Sequence, residues 1–519
     1  MQIPGLELAF DRLPAPLPIW RARVDADQWQ VAARAVAAAH GRLVALWGAD
    51  RSWHDGGFAV SAAYALADGL AWLDLPLSAD APAYPDLSPQ FPCAERMQRA
   101  AADLLGIVAI GARDTRPWLD HGAWPADRFP LHDQAPEAAA GPARSVVDYP
   151  FVRVAGDGVH EIPVGPVHAG IIEPGHFRFS VVGEKVLRLE ERLGYTHKGI
   201  ERRFTELAPL DAHRLAGRVS GDSTVAYAWA YCMALESAAA VEIPARARWL
   251  RALLLERERV ANHLGDLGAL GNDAALVFGL AQFSRLRENW LRTSKEIFGH
   301  RWTMDCIVPG GTAVDVDAAA AAKIAAQCEA TAREARELRS IYDEHAGLQD
   351  RFVGTGQVSP ELAAQLGLTG LAGRASGQRA DLRADHPWPP YDTLAPTMAM
   401  HRAGDVAARV AVRFAELFES LRLIGAMLAA LPAGEHRSEI RLRDGPSVGA
   451  GWVEGWRGQV FVALELDGAS QGHRIRRCHC HDPSWQNWPV LEHAVIGNIV
   501  PDFPLINKSF NLSYSGHDL

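Results

Sequence analysis

Cysteine is scarce in this sequence. Six residues, Cys93, Cys232, Cys306, Cys328, Cys478 and Cys480, are scattered over 519 positions, and no two stand in a Cys-x-x-Cys spacing. That argues against a disulfide scaffold and against a self-contained zinc site. An excess of positive charge is missing too: 52 Lys and Arg face 62 Asp and Glu, a net charge of −10. Nucleic-acid binding, which needs clustered cations, is not expected. No apolar run approaches the roughly 18–20 residues of a membrane-spanning helix. The opening Met1-Gln-Ile-Pro-Gly-Leu-Glu7 lacks the basic-then-apolar layout of a secretion signal, so the expected location is cytoplasmic. A nucleotide loop is absent as well. Gly265, Gly268, Gly271 and Gly279 follow no strand and precede no Lys-Ser or Lys-Thr pair.

What is present is ordinary for a globular protein, with 48% hydrophobic and 22% charged residues over a length that suits at least two domains. Residues 1–131 read as a small α/β domain. An Ala-rich helix is expected over Asp27–His40, strands over Arg42–Trp47, Phe58–Tyr64 and Leu70–Leu75, and a further helix over Ala94–Leu105. Residues 132–158 are small, polar and Pro-containing at their start, and read as a linker. From 159 to 519 the chain is mainly helical. Strands are expected near Phe177–Ser180 and Lys185–Leu189, and helices over Ala226–Glu236, Ala245–Leu264, Ala318–Tyr342 and Asp405–Leu431. The fold class is therefore α+β. Cys478-His-Cys-His481 reads as a strand, with both thiols on one face and both imidazoles on the other, rather than as a metal site.

Several motifs carry more information. Arg218-Val-Ser-Gly-Asp-Ser223 and the terminal Ser509-Phe-Asn-Leu-Ser-Tyr-Ser-Gly-His-Asp-Leu519 are short polar elements far apart in sequence. Gly165-Pro-Val-His168 and Tyr195-Thr-His-Lys-Gly-Ile-Glu201 open the second domain, with Glu173 and His176 between them. Glu256-Arg-Glu-Arg259 is followed by Asn262-His263 on the next helical turn. Arg374-Ala-Ser-Gly-Gln-Arg-Ala-Asp-Leu-Arg-Ala-Asp385 alternates cations and anions near Pro387, a pattern that suits a fixed network of paired charges beside a site. Gly449–Gly458, Asn487-Trp-Pro489 and Gly497–Leu505 complete the set.

In this order the motifs resemble the large subunit of hydrogenlyase-type, energy-converting NiFe hydrogenases and the related "D" subunit of respiratory complex I, over about Gly165–Leu519. Ala94–Leu131 resembles the small "C" subunit of complex I. The resemblance implies a complex I C-subunit-like α/β domain followed by a hydrogenase-large-subunit-like domain. In the hydrogenases four thiolates hold the metals. Here the corresponding positions are Ser220, Ser223, Ser513 and Gly516, and hydroxyls are poor substitutes for thiolates toward nickel. No metal is therefore expected. In the complex I relative the equivalent cavity holds a quinone headgroup between a loop His, matched by His176, and a Tyr. That Tyr falls near Gly221, which leaves Tyr195 or Tyr514 as candidates.

The resemblance assigns catalytic or proton-handling roles to Glu173, His176, Asp222, Arg379 and Asp385. It assigns acceptor-binding roles to His168, His176, Tyr195, Ser220, Ser223 and Ser513. Asp405 is expected to line the same cavity. The expected cofactors are a quinone, none held covalently, and an iron–sulfur cluster in a partner. The expected partners are an iron–sulfur small subunit and antiporter-like membrane subunits, with no nucleic acid. The expected place is the inner face of the cell membrane. Three functions stay open. The chain transfers electrons without a NiFe centre and with coupled ion movement, or it is a structural part of such a complex, or it is a true NiFe hydrogenase.

Overall fold

The computed structural model describes the chain except residues 55, 123, 126–127, 133–148, 171 and 469–471. Most of the expected linker start, 133–148, lies outside the described residues.

The first domain is built on a five-stranded sheet. Its long strands are Arg42–Asp50, Phe58–Leu66 and Gly69–Leu77, the middle one antiparallel to the other two, while Ile19–Arg23 pairs in parallel with Gly69–Leu77. Ala26–Ala38 is a helix closed by a capping box, in which the Asp25 side chain accepts from Gln28 N and the Gln28 side chain accepts from Asp25 N. The helix Ala94–Leu105 ends at Gly106, whose φ of 68° suits a glycine C-cap. The helices and the three long strands overlap their sequence-based expectations.

The second domain opens with a three-stranded antiparallel sheet that contains His176–Val182 and Lys185–Arg192. Long helices follow at Thr224–Ala239, Ala245–Asp273, Val277–Phe298, Ala318–Glu344 and Val406–Ala429. A second three-stranded sheet, Ser447–Glu454, Gln459–Leu466 and Ile475–His481, leads into the closing helices Ser484–Ala494, Phe503–Phe510 and Tyr514–Asp518.

Thr224–Ala239 is the axis of this domain. Every one of its residues is buried, as expected of a helix that is apolar all round. It lies against Ser447–Glu454 so closely that a Cβ on Gly449 would stand 2.0 Å from Ala234 O, and one on Gly451 1.9 Å from Ala230 O. The Gly-x-Gly of that strand is thus what lets helix and sheet meet. Along Ile475–His481 both thiols are fully buried, and His479 points the other way, stacking on Trp47 of the first domain at 5.0 Å and 10°. The core therefore runs through both domains: Trp47 and Trp72 pack in one apolar cluster with Phe461 and the central helices.

Candidate functional site

The N-terminus of Thr224–Ala239 is where the two distant polar elements meet. Ser220 Oγ lies 2.9 Å from Ser513 Oγ, across 293 residues of sequence. Ser513 caps the terminal helix Tyr514–Asp518, its Oγ accepting from Gly516 N at 2.9 Å. Ser513 N in turn donates to Ser484 Oγ, and Trp488 Nε1 donates to Ser513 O. Ser220, Ser223 and Ser513 are each only 3% exposed.

Asp222 organises the wall of this cluster. Arg457 clasps its carboxylate in a fork, at 2.7 Å to Oδ1 and 2.6 Å to Oδ2, and also reaches Ser223 Oγ at 3.2 Å. Ser220 Oγ adds a hydrogen bond to Asp222 Oδ1 at 3.0 Å, while Asn262 and Trp456 donate to Asp222 O. Burial pushes the Asp222 carboxyl up, but the Arg457 fork outweighs it and holds the group below the usual carboxylate range. Behind it sits Glu258, 4% exposed, which accepts from Val225 N at 2.7 Å and Ala226 N at 3.2 Å at the helix start. Burial raises its carboxyl to about 8, and the neighbouring Asp222 charge adds to the rise. The site thus pairs a carboxylate held ionised with a carboxyl that keeps its proton near neutrality.

The space beside Gly516 is filled. A Cβ there would lie 2.3 Å from Asp482 Oδ2 and 2.9 Å from Ser513 Oγ. Asp482 is fixed by Tyr227 OH, which donates to Oδ2 at 2.7 Å, and by Ser484 N, which donates to Oδ1 at 2.8 Å. The donors gathered here are hydroxyls, carboxylates and one guanidinium. Such a set does not fit a nickel–iron centre, which wants soft thiolates. Among the described residues no group of three His, Cys, Asp or Glu side chains is placed to hold a metal ion.

Glu173, exposed on its loop, reaches the terminal helix beside the cluster. Its Oε2 accepts from Ser515 N at 3.0 Å, and Lys198, which feels the Glu173 and Asp518 charges, donates to Val219 O next to Ser220. His168 reaches the same side, with Nε2 3.4 Å from Tyr514 OH. Tyr195 packs edge-on against His121 of the first domain at 4.5 Å.

Four expected residues lie elsewhere. His176 opens a strand whose Phe177, Phe179 and Val181 face the core, so it falls on the opposite face, against Phe151, with Arg178 Nε donating to its Nε2 at 3.3 Å. Arg379 is exposed on the turn after Gly377, whose φ is 80°. Asp385 is exposed and closes the short helix Leu382–Asp385 by accepting from Asp381 N. Asp405 is an N-cap, accepting from Ala408 N.

The charge network expected from that run does form, from its other members. Arg374 bonds Glu416 and Glu454, Arg383 bonds Glu256 and Asp381, Arg259 bonds Glu256, and His263 meets Glu416 at 3.0 Å. Arg413 and Asn511 both reach Asp266, whose charge is felt at Asp222. Sequence reasoning did not single out Arg457, Asp482 or Glu258 as site residues. Arg457 sits in the Gly449–Gly458 hairpin, and Asp482 precedes Pro483 and Ser484 where a strand gives way to a helix, which is a recognisable capping pattern.

Comparison with known proteins places this arrangement in a class. Residues 22–140 match the family described as the 30 Kd subunit of respiratory-chain NADH dehydrogenase, and residues 270–449 match the 49 Kd subunit of the same enzyme. The chain is 31% identical over 488 residues to formate hydrogenlyase subunit 5 of Escherichia coli (strain K12), covering 92% of this chain and 85% of that protein. It therefore belongs to the family that unites fused complex I C/D-type subunits with hydrogenlyase-type large subunits. It is also similar to the C/D subunit of the NADH-quinone oxidoreductase of Bacteroides thetaiotaomicron, at 27% identity over 415 residues, 76% of this chain and 78% of that one. A chain in the structure of an archaeal membrane-bound sulfane sulfur reductase shares the fold, with a TM-score of 0.65 at 24% identity over 70% of this chain and 99% of that one. No helix of the described residues is long and apolar enough to cross a membrane.

Proposed function

We propose that this chain is the large, peripheral subunit of a membrane-associated redox complex, passing electrons to a small acceptor such as a quinone, with coupled proton movement and without a NiFe centre. Its relatives are named as subunits of a formate hydrogenlyase and of NADH-quinone oxidoreductases, which supports assembly with an iron–sulfur partner and with membrane subunits. The observation that carries the reading is the meeting of Ser220 and Ser513 at 2.9 Å beside the Asp222–Arg457 fork. The positions that resemble the hydrogenase ligands converge here, yet they present hydroxyls, and Asp482 fills the space of a side chain at 516.

In this reading Glu173 and His168, on the solvent side of the cluster, exchange protons with the acceptor, and Tyr514 orients His168. Asp222 stays ionised and Glu258 stays protonated, so the cluster offers both a fixed charge and a proton store. The test is quinone-dependent oxidation of the partner's reduced iron–sulfur clusters in the purified complex. Glu173→Gln should slow it by roughly 10- to 100-fold, and His176→Ala should leave it near the wild-type rate. No response to any quinone would remove this acceptor, and nickel near one atom per chain would restore the hydrogenase reading.

One observation favours a second reading, a structural subunit with a closed site. The three serines are almost fully buried and already hydrogen-bonded, Ser220 with Ser513 and Ser223 with Arg457. Unchanged coupled activity in both Glu173→Gln and His168→Ala would select it.

A further inference from the structure

The first and second domains are separated on one side by a crevice of about 460 Å³. His40, Arg42 and Gln90 line it from the first domain, and Gln365 and Arg379 from the second. Leu43, Phe91 and Leu368 supply apolar wall. Among the described residues that line it, none carries a carboxylate.

Interior guanidiniums elsewhere have their donors taken up, either by carboxylates, as Arg251 by Glu236 and Arg383 by Glu256 and Asp381, or by several oxygens at once, as Arg409 by Ser509 Oγ, Gly404 O and Gly356 O. Arg42 is half-buried, and its single side-chain hydrogen bond among the described residues is a long one, 3.4 Å to Thr369 Oγ1. Burial pulls the Arg42 guanidinium below the usual arginine range. Glu454 and Asp385 counter this through space, but neither is hydrogen-bonded to it. The Arg379 side chain has no hydrogen bond or ion pair among the described residues. A guanidinium carries five N–H donors in a planar fork. Two such groups open onto one acid-free crevice, with glutamine amides alongside.

We infer that this interdomain crevice binds a small organic anion, its carboxylate or phosphate group held by Arg42 and Arg379 and its body against Phe91 and the glutamines. The concave shape and the volume suit a small molecule, and planar forks suit carboxylate and phosphate oxygens. Because Arg42 belongs to one domain and Arg379 to the other, such a ligand would clamp the two together. The site is separate from the Ser220–Ser513 cluster and stands whether or not the chain handles a quinone.

The test titrates the full chain with inorganic phosphate, pyrophosphate and citrate at constant ionic strength, following heat of binding and thermal midpoint. At least one of the three should bind saturably at one site and raise the midpoint. Arg379→Gln, a substitution at an exposed residue with no partner to lose among the described residues, should weaken that binding at least roughly tenfold. The Arg42→Gln/Arg379→Gln pair should abolish it while the unliganded midpoint of Arg379→Gln stays at the wild-type value. Any of three results overturns the inference: no saturable binding, equal binding by Arg379→Gln, or binding of a poly-glutamate peptide alone, which would mark a protein-docking surface instead.

Discussion

Glu258→Gln isolates the most unusual electrostatic feature of the site. In the folded chain Glu258 is buried beside Asp222, and its carboxyl is raised to about 8 from an ordinary 4.5. Between those values the folded state keeps a proton that the unfolded chain releases. Stability must then fall as pH rises through this window, by about 1.4 kcal/mol per pH unit for one group. From about pH 5 to about pH 8 the accumulated loss is roughly 3–4 kcal/mol. Glutamine is neutral throughout and carries no such slope; its one amide oxygen keeps Val225 N or Ala226 N while its NH2 faces the other, a cost that does not vary with pH. Denaturant midpoints and slopes of the two proteins, measured in parallel across this range, give the difference directly, because all other titrating groups cancel. The variant should be less stable than wild type near pH 5 and gain on it by roughly 3–4 kcal/mol as pH rises to about 8. Parallel pH–stability curves would mean that Glu258 ionises normally, and the proton store assigned to it would be lost.

Gly516→Ala should cost about 1–3 kcal/mol by overpacking, since the new Cβ meets Asp482 Oδ2 at 2.3 Å. In the Asp482→Ser background most of that cost should vanish, and a double-mutant cycle on thermal midpoints reads the coupling. Arg457→Met strips the fork from Asp222. Because the Asp222 side chain is 35% exposed and can hydrate, the loss should be about 1–3 kcal/mol, below the 3–5 typical of a fully buried pair. Arg383→Met leaves Glu256 and Asp381, both essentially inaccessible, without this cation, so it should cost about 3–5 kcal/mol in the same denaturation assay.

The elements were legible because their causes are local. The short apolar run of Phe58–Leu66, buried on both faces, the Ala/Leu/Glu/Arg composition of Ala318–Glu344 and the glycine after Leu105 act within a few residues, and the expected and observed ranges overlap closely. The alternation of thiols and imidazoles along Cys478–His481 was readable for the same reason. The motif order was equally legible, and it fixed the family.

The partners of each polar side chain were not legible, since they depend on elements hundreds of residues apart. His176 and His168 are eight positions apart and chemically alike, but strand pleat turns the first toward Phe151 while the loop carries the second to Tyr514. Within one run of alternating charges, Arg374, Asp381 and Arg383 go inward and Arg379 and Asp385 go to the surface, because a turn at Gly377 and a helix cap at Asp381 decide the directions. Chain order alone thus determined the elements, the two-part organisation and the family. Packing decided which hydroxyls touch, which carboxyl keeps its proton and which arginines are left without an anion, because electrostatic neighbours are set by distance through the fold and not by distance along the chain.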